Sequence, residues 1–183
     1  EGRQLSFEVA DQINSYNYDG VYLLKEAKRY YPYNELLSHV LGYVGIDSQG
    51  LSGLELKYDE ELTGTKGSIK YYSDAKGNRL AKAEEYTEPI SGNNIYLTID
   101  LDLQQAIERE LDNAVLKYNP EHALAIAMNP KTGEILAMSS RPSYNPNDYQ
   151  TYTQEVLSRN LPIWMTYEPG STMKITTLAA AIN

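Results

Sequence analysis

The strongest constraint on the fold is an amphipathic stretch in the second half of the chain. Apolar residues recur there at intervals of three and four, which is the spacing of one helix face. These positions are Leu103, Ala106, Ile107, Leu111, Ala114 and Val115. The pattern starts at Ile99-Asp100 and stops at Asn119-Pro120, because a residue before proline disfavours helix. The sequence therefore predicts a long helix with one buried face.

A hairpin is predicted directly after this helix. Two apolar runs, residues 123–128 and 134–139, flank the turn-forming sequence Asn129-Pro130-Lys131-Thr132-Gly133. Because nearly every strand position is apolar, we expect both faces of the hairpin to be covered, as in the centre of an α/β sheet. Met128 and Met138 are expected in the core. Residues 141–152, rich in Pro, Asn and Tyr, are predicted to form an exposed loop.

The first half of the chain contains shorter patterns. Its predicted elements are helices at residues 5–14 (with Ser6 as N-cap), 35–44 and 54–62, and strands at residues 68–72 and 95–99. The two strands are separated by a charged, turn-rich stretch, residues 73–94. This shift in composition places a domain boundary near Gly92 and divides the chain into residues 1–92 and 93–183.

Composition limits the classes of function. A net charge of -9, with acidic and basic residues interspersed, argues against nucleic acid as a partner. The chain has no cysteine, and neither nucleotide-binding glycine motif is present, so thiolate metal sites and phosphate loops are excluded. His39 stands alone on its predicted helix, which is more typical of a structural residue than of a ligand. We therefore predict no metal and no cofactor.

The candidate reactive residues lie in Pro169-Gly170-Ser171-Thr172-Met173-Lys174 and the apolar run that follows. Pro169 and Gly170 break the chain, and the residues after them favour a buried helix. Ser171 and Lys174, three positions apart, would lie on one face of that helix, as a nucleophile lies beside its base. The helix start also offers N–H groups and a positive dipole to a developing oxyanion.

Spacing alone is a weak signal for this chemistry. Ser73-Asp74-Ala75-Lys76 has the same spacing, but Gly77-Asn78 follows it, which indicates a charged surface turn. Taken without context, the motif favours an ordinary helix N-cap for Ser171 and a solvated Lys174. The surrounding segments decide between these interpretations.

Several segments, in this order, resemble class B penicillin-binding proteins over essentially the whole chain. They are Arg29-Tyr30-Tyr31-Pro32; Gly42-Tyr43-Val44-Gly45 with Gly53, Glu55, Tyr58, Leu62 and Gly64; Leu97-Thr98-Ile99-Asp100; the run from Met128 to Met138; Arg159-Asn160; and the run from Tyr167 to Lys174. The last run contains the Ser-x-x-Lys motif of these enzymes. Within the family, the resemblance is greatest to a sporulation member.

The resemblance implies an α+β chain. Residues 1–92 would belong to the non-catalytic pedestal (dimerisation-type) domain, a module of strands and short helices. Residues 93–183 would be the N-terminal part of a transpeptidase domain with the β-lactamase-like α/β fold. Arg29 and Glu55 match fixed positions of the pedestal and would pair across it.

The resemblance also implies a catalytic serine in a D,D-transpeptidase. Ser171 would attack the penultimate D-alanine carbonyl of a peptidoglycan stem peptide and form an acyl-enzyme. Lys174 would deprotonate Ser171, and the Ser171 N–H would supply half of the oxyanion hole. In the family, Ser-x-Asn and Lys-Thr-Gly elements follow the serine helix; neither follows Ser171 before Asn183. We therefore expect the chain to be part of a longer protein and to be inactive alone.

Partners and location follow from the same resemblance. The implied partners are peptidoglycan stem peptides, β-lactam antibiotics and a glycosyltransferase of the cell-wall machinery. The implied location is extracytoplasmic, in the bacterial cell envelope or the forespore envelope, with a membrane anchor outside this chain. The sequence leaves both a sporulation and a vegetative role open.

Two further interpretations stay open. The parent protein could use the same acyl-serine chemistry as a D,D-carboxypeptidase, a β-lactamase or a β-lactam sensor, although small β-lactamases lack a pedestal. Alternatively, the chain is a non-enzymatic interaction module that binds a cell-wall partner through its tyrosine-rich first half.

Overall fold

Short helices and two antiparallel hairpins alternate along the chain in the computed structural model, which describes residues 2–24, 26–73 and 79–182. The helices are α1 (Phe7–Ser15), α2 (Ser38–Leu41), α3 (Gly53–Lys57), α4 (Asp59–Thr63), α5 (Leu101–Tyr118), α6 (Gln154–Ser158), α7 (Leu161–Trp164) and α8 (Met173–Ile182). The strands are β1 (Ser68–Ser73), β2 (Arg79–Thr87), β3 (Ala123–Met128) and β4 (Ile135–Arg141). This mixture confirms the predicted α+β class. Within the described ranges, every helix is too short or too polar to cross a bilayer.

The long helix α5 forms where its sequence predicts it. The Asp100 side chain caps its start by accepting a hydrogen bond from the Leu103 N–H at 3.0 Å. The predicted stripe is confirmed, since its six residues are buried or half-buried, but Gln104 and Glu108, which it did not include, lie as deep as Leu111. The polar pair can be buried because hydrogen-bond partners satisfy both side chains.

The β3–β4 hairpin is also confirmed, with a turn closed by the Gly133 N–H donating to the Asn129 carbonyl at 2.8 Å. Gly133 has a φ of 79°, a backbone conformation that favours glycine. The predicted coverage of both faces holds for β4, whose residues are all buried or half-buried, but it is wrong for β3. Residues of β3 alternate between half-buried and exposed, and Met128, expected in the core, is 55% exposed. The helices α5 and α7 pack on this hairpin, while Leu124, Ile126 and Met128 of β3 are 42%, 46% and 55% exposed.

The prediction of an exposed loop at residues 141–152 is wrong. Tyr144 is fully buried and forms a core cluster with Tyr43 and Leu157. A 3-10 helix, Pro146–Thr151, follows it. Composition misleads here because tyrosine suits partly exposed surfaces and also cores in which its hydroxyl has a hydrogen-bond partner.

The predicted helix at residues 35–44 shortens to the four residues of α2. Leu37, directly before it, has a left-handed φ of 60°, and Gly42, directly after it, has a φ of 81°. Neither conformation continues a helix. The predicted helix at residues 54–62 similarly divides into α3 and α4 at Tyr58.

Other elements of the first half agree with the sequence in part. The α1 helix begins after its predicted cap, with the Ser6 hydroxyl accepting from the Val9 N–H at 3.3 Å, and β1 forms as predicted. The charged stretch after β1 contains an unpredicted strand, β2, and the predicted turn at residues 76–78 lies outside the described residues. Residues 95–99 form an extended connection, not a strand, although the Thr98 hydroxyl donates to the Ile135 carbonyl at 2.6 Å.

The two halves of the chain meet around α2. We call this contact the joint. It consists of α2 with Leu37, Glu108 of α5, Tyr144 and α6. Each of three successive residues, Leu37, Ser38 and His39, shares a hydrogen bond with a different part of the second half. The joint therefore fixes the first half of the chain against the elements that precede Ser171.

Candidate active site

Ser171 lies in a 3-10 turn, Gly170–Thr172, that leads directly into α8. Gly170 has a φ of 54°, which redirects the chain before the turn. Thr172 bonds back to the Pro169 carbonyl through its N–H at 3.1 Å and through its hydroxyl. Ser171 therefore sits one residue too early to be the N-cap of α8, and the interpretation of this serine as an ordinary cap does not fit the structure.

Lys174 lies in the first turn of α8, three positions after Ser171. Both residues are exposed, and no hydrogen bond joins their side chains in the part of the chain that the structure describes. The predicted turn and helix are present, but the predicted burial of the helix is wrong: every described residue of α8 is exposed. Its apolar side chains lack a covering element within the described ranges, so their sequence pattern alone cannot bury them. The roles of Ser171 and Lys174 stay predictions.

Two other short sequences carry letters of the family motifs. The second Ser-x-x-Lys sequence runs into residues 74–78, which lie outside the described residues. The letters Lys-Thr-Gly occur at residues 131–133, where they form the β3–β4 turn. There the Lys131 N–H donates to Asn129 Oδ1 at 3.0 Å and the Thr132 hydroxyl donates to Glu134 Oε2 at 2.8 Å. This sequence is therefore a structural turn, separate from the element that follows the serine helix in the family.

The predicted pair across the first half is confirmed. Arg29 Nε lies 2.9 Å from Glu55 Oε1, and the Tyr31 hydroxyl donates to the same carboxylate oxygen at 3.2 Å. Burial, followed by the negative charge of Glu55, raises the pKa of Tyr31 above its usual range. The hydroxyl therefore stays protonated and continues to donate to Glu55.

A buried polar network links α5 to β4. The Gln104 amide bonds to both backbone groups of Met138, accepting from its N–H at 2.9 Å and donating to its carbonyl at 3.1 Å. Gln104 also donates to Glu108 Oε1 at 2.7 Å. Arg141, 8% exposed, donates to Asp112 at 2.5 Å and to the Glu108 carbonyl at 3.1 Å. The Gln104 side chain on α5 thus adds two hydrogen bonds to the backbone of β4.

The charge of Arg141 is compensated within this network. Burial acts to lower its pKa, but the hydrogen bond and charge of Asp112, with the charges of Glu108 and Glu35, raise it on balance. Sequence reasoning missed Gln104, Glu108 and Arg141. A usable signal was present, because Gln104, Glu108 and Leu111 follow helical spacing on one face of α5.

His39 is structural, as its isolation in sequence predicts. Its Nε2 lies 2.8 Å from the Val156 carbonyl oxygen, and its ring meets the Tyr144 ring edge-on at a centroid distance of 4.9 Å. In the described ranges, no group of three or more His, Asp or Glu side chains could hold a metal ion. The absence of a cofactor stays a prediction.

Two family models match the chain. The penicillin-binding protein dimerisation domain matches residues 2–97, and the penicillin-binding protein transpeptidase domain matches residues 123–183. The chain belongs to the class B penicillin-binding protein family, with parts of both of these domains.

Known relatives agree with this assignment. The chain is 54% identical to stage V sporulation protein D of Bacillus subtilis over 100% of its own length and 28% of that protein. It is 38% identical to peptidoglycan D,D-transpeptidase FtsI of Buchnera aphidicola over 99% of its own length and 32% of that protein. A crystal structure of penicillin binding protein 2X from Streptococcus thermophilus matches 84% of this chain and 24% of that chain, with 37% identity and a TM-score of 0.60. The chain therefore spans about a third or less of the length of these relatives.

Proposed function

We propose that the full-length protein containing this chain is a serine D,D-transpeptidase that cross-links peptidoglycan stem peptides. The observation that carries the proposal is the position of Ser171 in the turn that opens α8, with Lys174 in the first turn of that helix. This sequence lies inside the region that matches the transpeptidase domain. The names of two relatives, a D,D-transpeptidase and a sporulation protein, support the same activity and a role in sporulation.

The proposed reaction has two acyl transfers. Lys174 Nζ takes the proton of the Ser171 hydroxyl while Ser171 Oγ attacks the penultimate D-alanine carbonyl. The Ser171 N–H donates to the oxyanion of the tetrahedral intermediate. Collapse breaks the peptide bond, and the leaving terminal D-alanine amine takes up the proton. The amine of a neighbouring stem then attacks the ester carbonyl and loses a proton to the same base; the C–Oγ bond breaks, and the base returns the proton to Ser171 Oγ. A β-lactam would acylate Ser171 by the first of these steps.

We further propose that residues 1–92 belong to the pedestal and residues 93–183 to the transpeptidase domain. Two backbone contacts just after this boundary support a change of structural unit in this region. The Asn93 N–H donates to the Glu61 carbonyl in α4 at 2.7 Å, whereas the Asp100 N–H donates to the Leu136 carbonyl in β4 at 2.8 Å. We infer that the chain passes from one unit to the other between Asn93 and Asp100, close to the proposed boundary.

The proposed partners are stem peptides, β-lactams and a peptidoglycan glycosyltransferase. The proposed location is the outer face of the bacterial membrane or the forespore envelope, reached through an anchor outside this chain. Family membership supports both statements, since cell-wall cross-linking takes place outside the cytoplasm.

Labelling of the full-length protein with a fluorescent penicillin tests the proposal. We expect covalent labelling of the wild type and none of Ser171→Ala. Lys174→Ala should slow labelling by about 100-fold or more, because a positioned base contributes on that order. Two matched controls, Ser73→Ala in the second Ser-x-x-Lys sequence and Lys131→Ala in the β3–β4 turn, should label at the wild-type rate. Labelling of Ser171→Ala at the wild-type rate would show that another residue is the nucleophile.

A further inference from the structure

Three successive residues of the joint bond to three different elements of the second half. The Leu37 N–H donates to Glu108 Oε1 of α5 at 2.9 Å, and the Tyr144 hydroxyl donates to the Ser38 carbonyl at 2.9 Å. His39 Nε2 lies 2.8 Å from the Val156 carbonyl oxygen of α6. The N-cap and the first two residues of α2 thus bond to three separate parts of the second half.

Two of these bonds, those of Leu37 and Ser38, are buried, whereas the bond between His39 and Val156 is partly buried. Leu37, Ser38, Glu108 and Tyr144 are all less than 9% exposed. Buried hydrogen bonds have strict geometry, because a polar group that loses its partner there cannot turn to water instead. The two buried bonds therefore hold α2 in a defined position against α5 and Tyr144.

The bond of His39 differs from the other two in where it leads. Val156 lies in α6, and Leu157, the next residue, is 2% exposed in the cluster with Tyr43 and Tyr144. After α6 the chain continues through Asn160 and α7 to Ser171. Of the three bonds at the joint, this one acts on the segment that carries the proposed nucleophile.

A second contact holds the same segment from the other side. The Asn160 amide approaches Met138 Sδ of β4 at 3.6 Å, and α7 packs against both strands of the β3–β4 hairpin. The segment from α6 to α7 therefore lies between the hairpin and the joint. Without the hydrogen bond to His39, α6 would be held against the joint by apolar packing alone.

We propose that His39 is a positioning residue for acyl transfer: its Nε2–H donates to the Val156 carbonyl and so fixes α6, and with it the approach to Ser171, against the first half of the chain. This inference rests on the proposed transpeptidase function. The imidazole must then be the tautomer with hydrogen on Nε2, because a carbonyl oxygen can only accept.

Two substitutions at this position separate the hydrogen bond from the packing. His39→Phe keeps a flat ring against Tyr144 and removes the donor, whereas His39→Gln keeps an N–H donor at a similar reach. In the full-length protein, we expect His39→Phe to slow acylation by fluorescent penicillin about 10-fold at saturation, since small misplacements near a reacting group lower rates strongly. The penicillin concentration giving half the maximal rate should not change. His39→Gln should restore most of the rate.

The chain has one other histidine, which provides the control. His122 lies outside the joint, near Glu121 at 3.7 Å, so His122→Phe should acylate at the wild-type rate. An unchanged rate in His39→Phe would overturn the proposal. So would equal slowing in His39→Phe and His39→Gln, because that result indicates a role in packing only.

Amide hydrogen exchange provides a measurement that does not depend on activity. His39→Phe should increase exchange in residues 154–174 while leaving α5 unchanged, and His39→Gln should not. Unchanged exchange in His39→Phe would contradict the positioning role. If the wild type is not labelled by penicillin at all, the proposed function fails, and the exchange experiment still decides whether His39 positions this segment.

Discussion

The joint is bonded to distant parts of the chain, whereas α8 is exposed along its whole described length. At the joint, distant parts of the chain converge on three successive residues, Leu37, Ser38 and His39, and the buried Glu108 carboxylate has partners. In α8, an apolar sequence remains exposed, with Ile175 at 75% and Leu178 at 61%. Burial therefore depends on which elements meet and does not follow from hydrophobicity alone. The proposed reactive residues are on the exposed helix, while the groups that could position it are in the joint.

The largest effect should come from removing a buried charge from the joint. Glu108→Ala would leave Arg141 without one of its buried partners and the Leu37 N–H without an acceptor. We expect a loss of about 4 kcal/mol in the free energy of unfolding, the usual range for breaking a buried pair from one side. Urea unfolding followed by circular dichroism would measure it.

The matched control for this substitution is Asp112→Ala. Asp112 also pairs with Arg141 but its side chain is 58% exposed, so water can replace it. We expect a loss of about 1 kcal/mol or less, as for other exposed ion pairs. If both substitutions cost the same, Glu108 does not have the special role in the joint that its contacts indicate.

Replacing leucine by alanine should have a smaller effect on stability, and one that differs between the joint and α8. Leu157→Ala removes a side chain that is 2% exposed, and Leu178→Ala removes one that is 61% exposed. We expect the first to lower the free energy of unfolding by about 3 kcal/mol, through lost burial and a residual cavity. The second should change it by about 0.5 kcal/mol or less. Comparable losses in urea unfolding would show that α8 is packed as firmly as the joint.

The sequence predicts well those elements that depend on local interactions. Asp100 and Ser6 cap α5 and α1 where expected, and Gly133 closes the hairpin, since caps and turns depend on a few adjacent residues. The pairing of Arg29 with Glu55 was available only through resemblance to a family. The Ser171 turn and helix start were also predicted.

The predictions from sequence are wrong where contacts between distant residues determine the structure. Residues 141–152 have the composition of a loop, yet Tyr144 is core because Tyr43, Ser38 and Leu157 surround it. Met128 has the composition of a core residue and is exposed. Helix 35–44 shortens because the joint requires Leu37 to be left-handed so that its N–H reaches Glu108. None of these partners is near in sequence, so local propensity could not identify them.

The smallest expected effect is a pH dependence of stability that belongs to His39. Burial lowers the pKa of His39 below its ordinary value of 6.5; the Val156 carbonyl opposes this, the positive charge of Arg141 adds to it, and the charge of Glu108 opposes it. As the pH falls below 6.5, the unfolded chain binds a proton at this residue before the folded chain does. The free energy of unfolding should therefore fall until the pH passes the folded pKa, and this contribution is absent above 6.5.

Urea midpoints between about pH 8 and pH 5 should decline more steeply in the wild type than in His39→Gln, since the carboxylates are common to both. His122→Gln should keep the wild-type slope. Identical slopes for the wild type and His39→Gln would mean that the joint does not hold this imidazole neutral, and the Nε2 bond to Val156 would then have to be made by the charged ring.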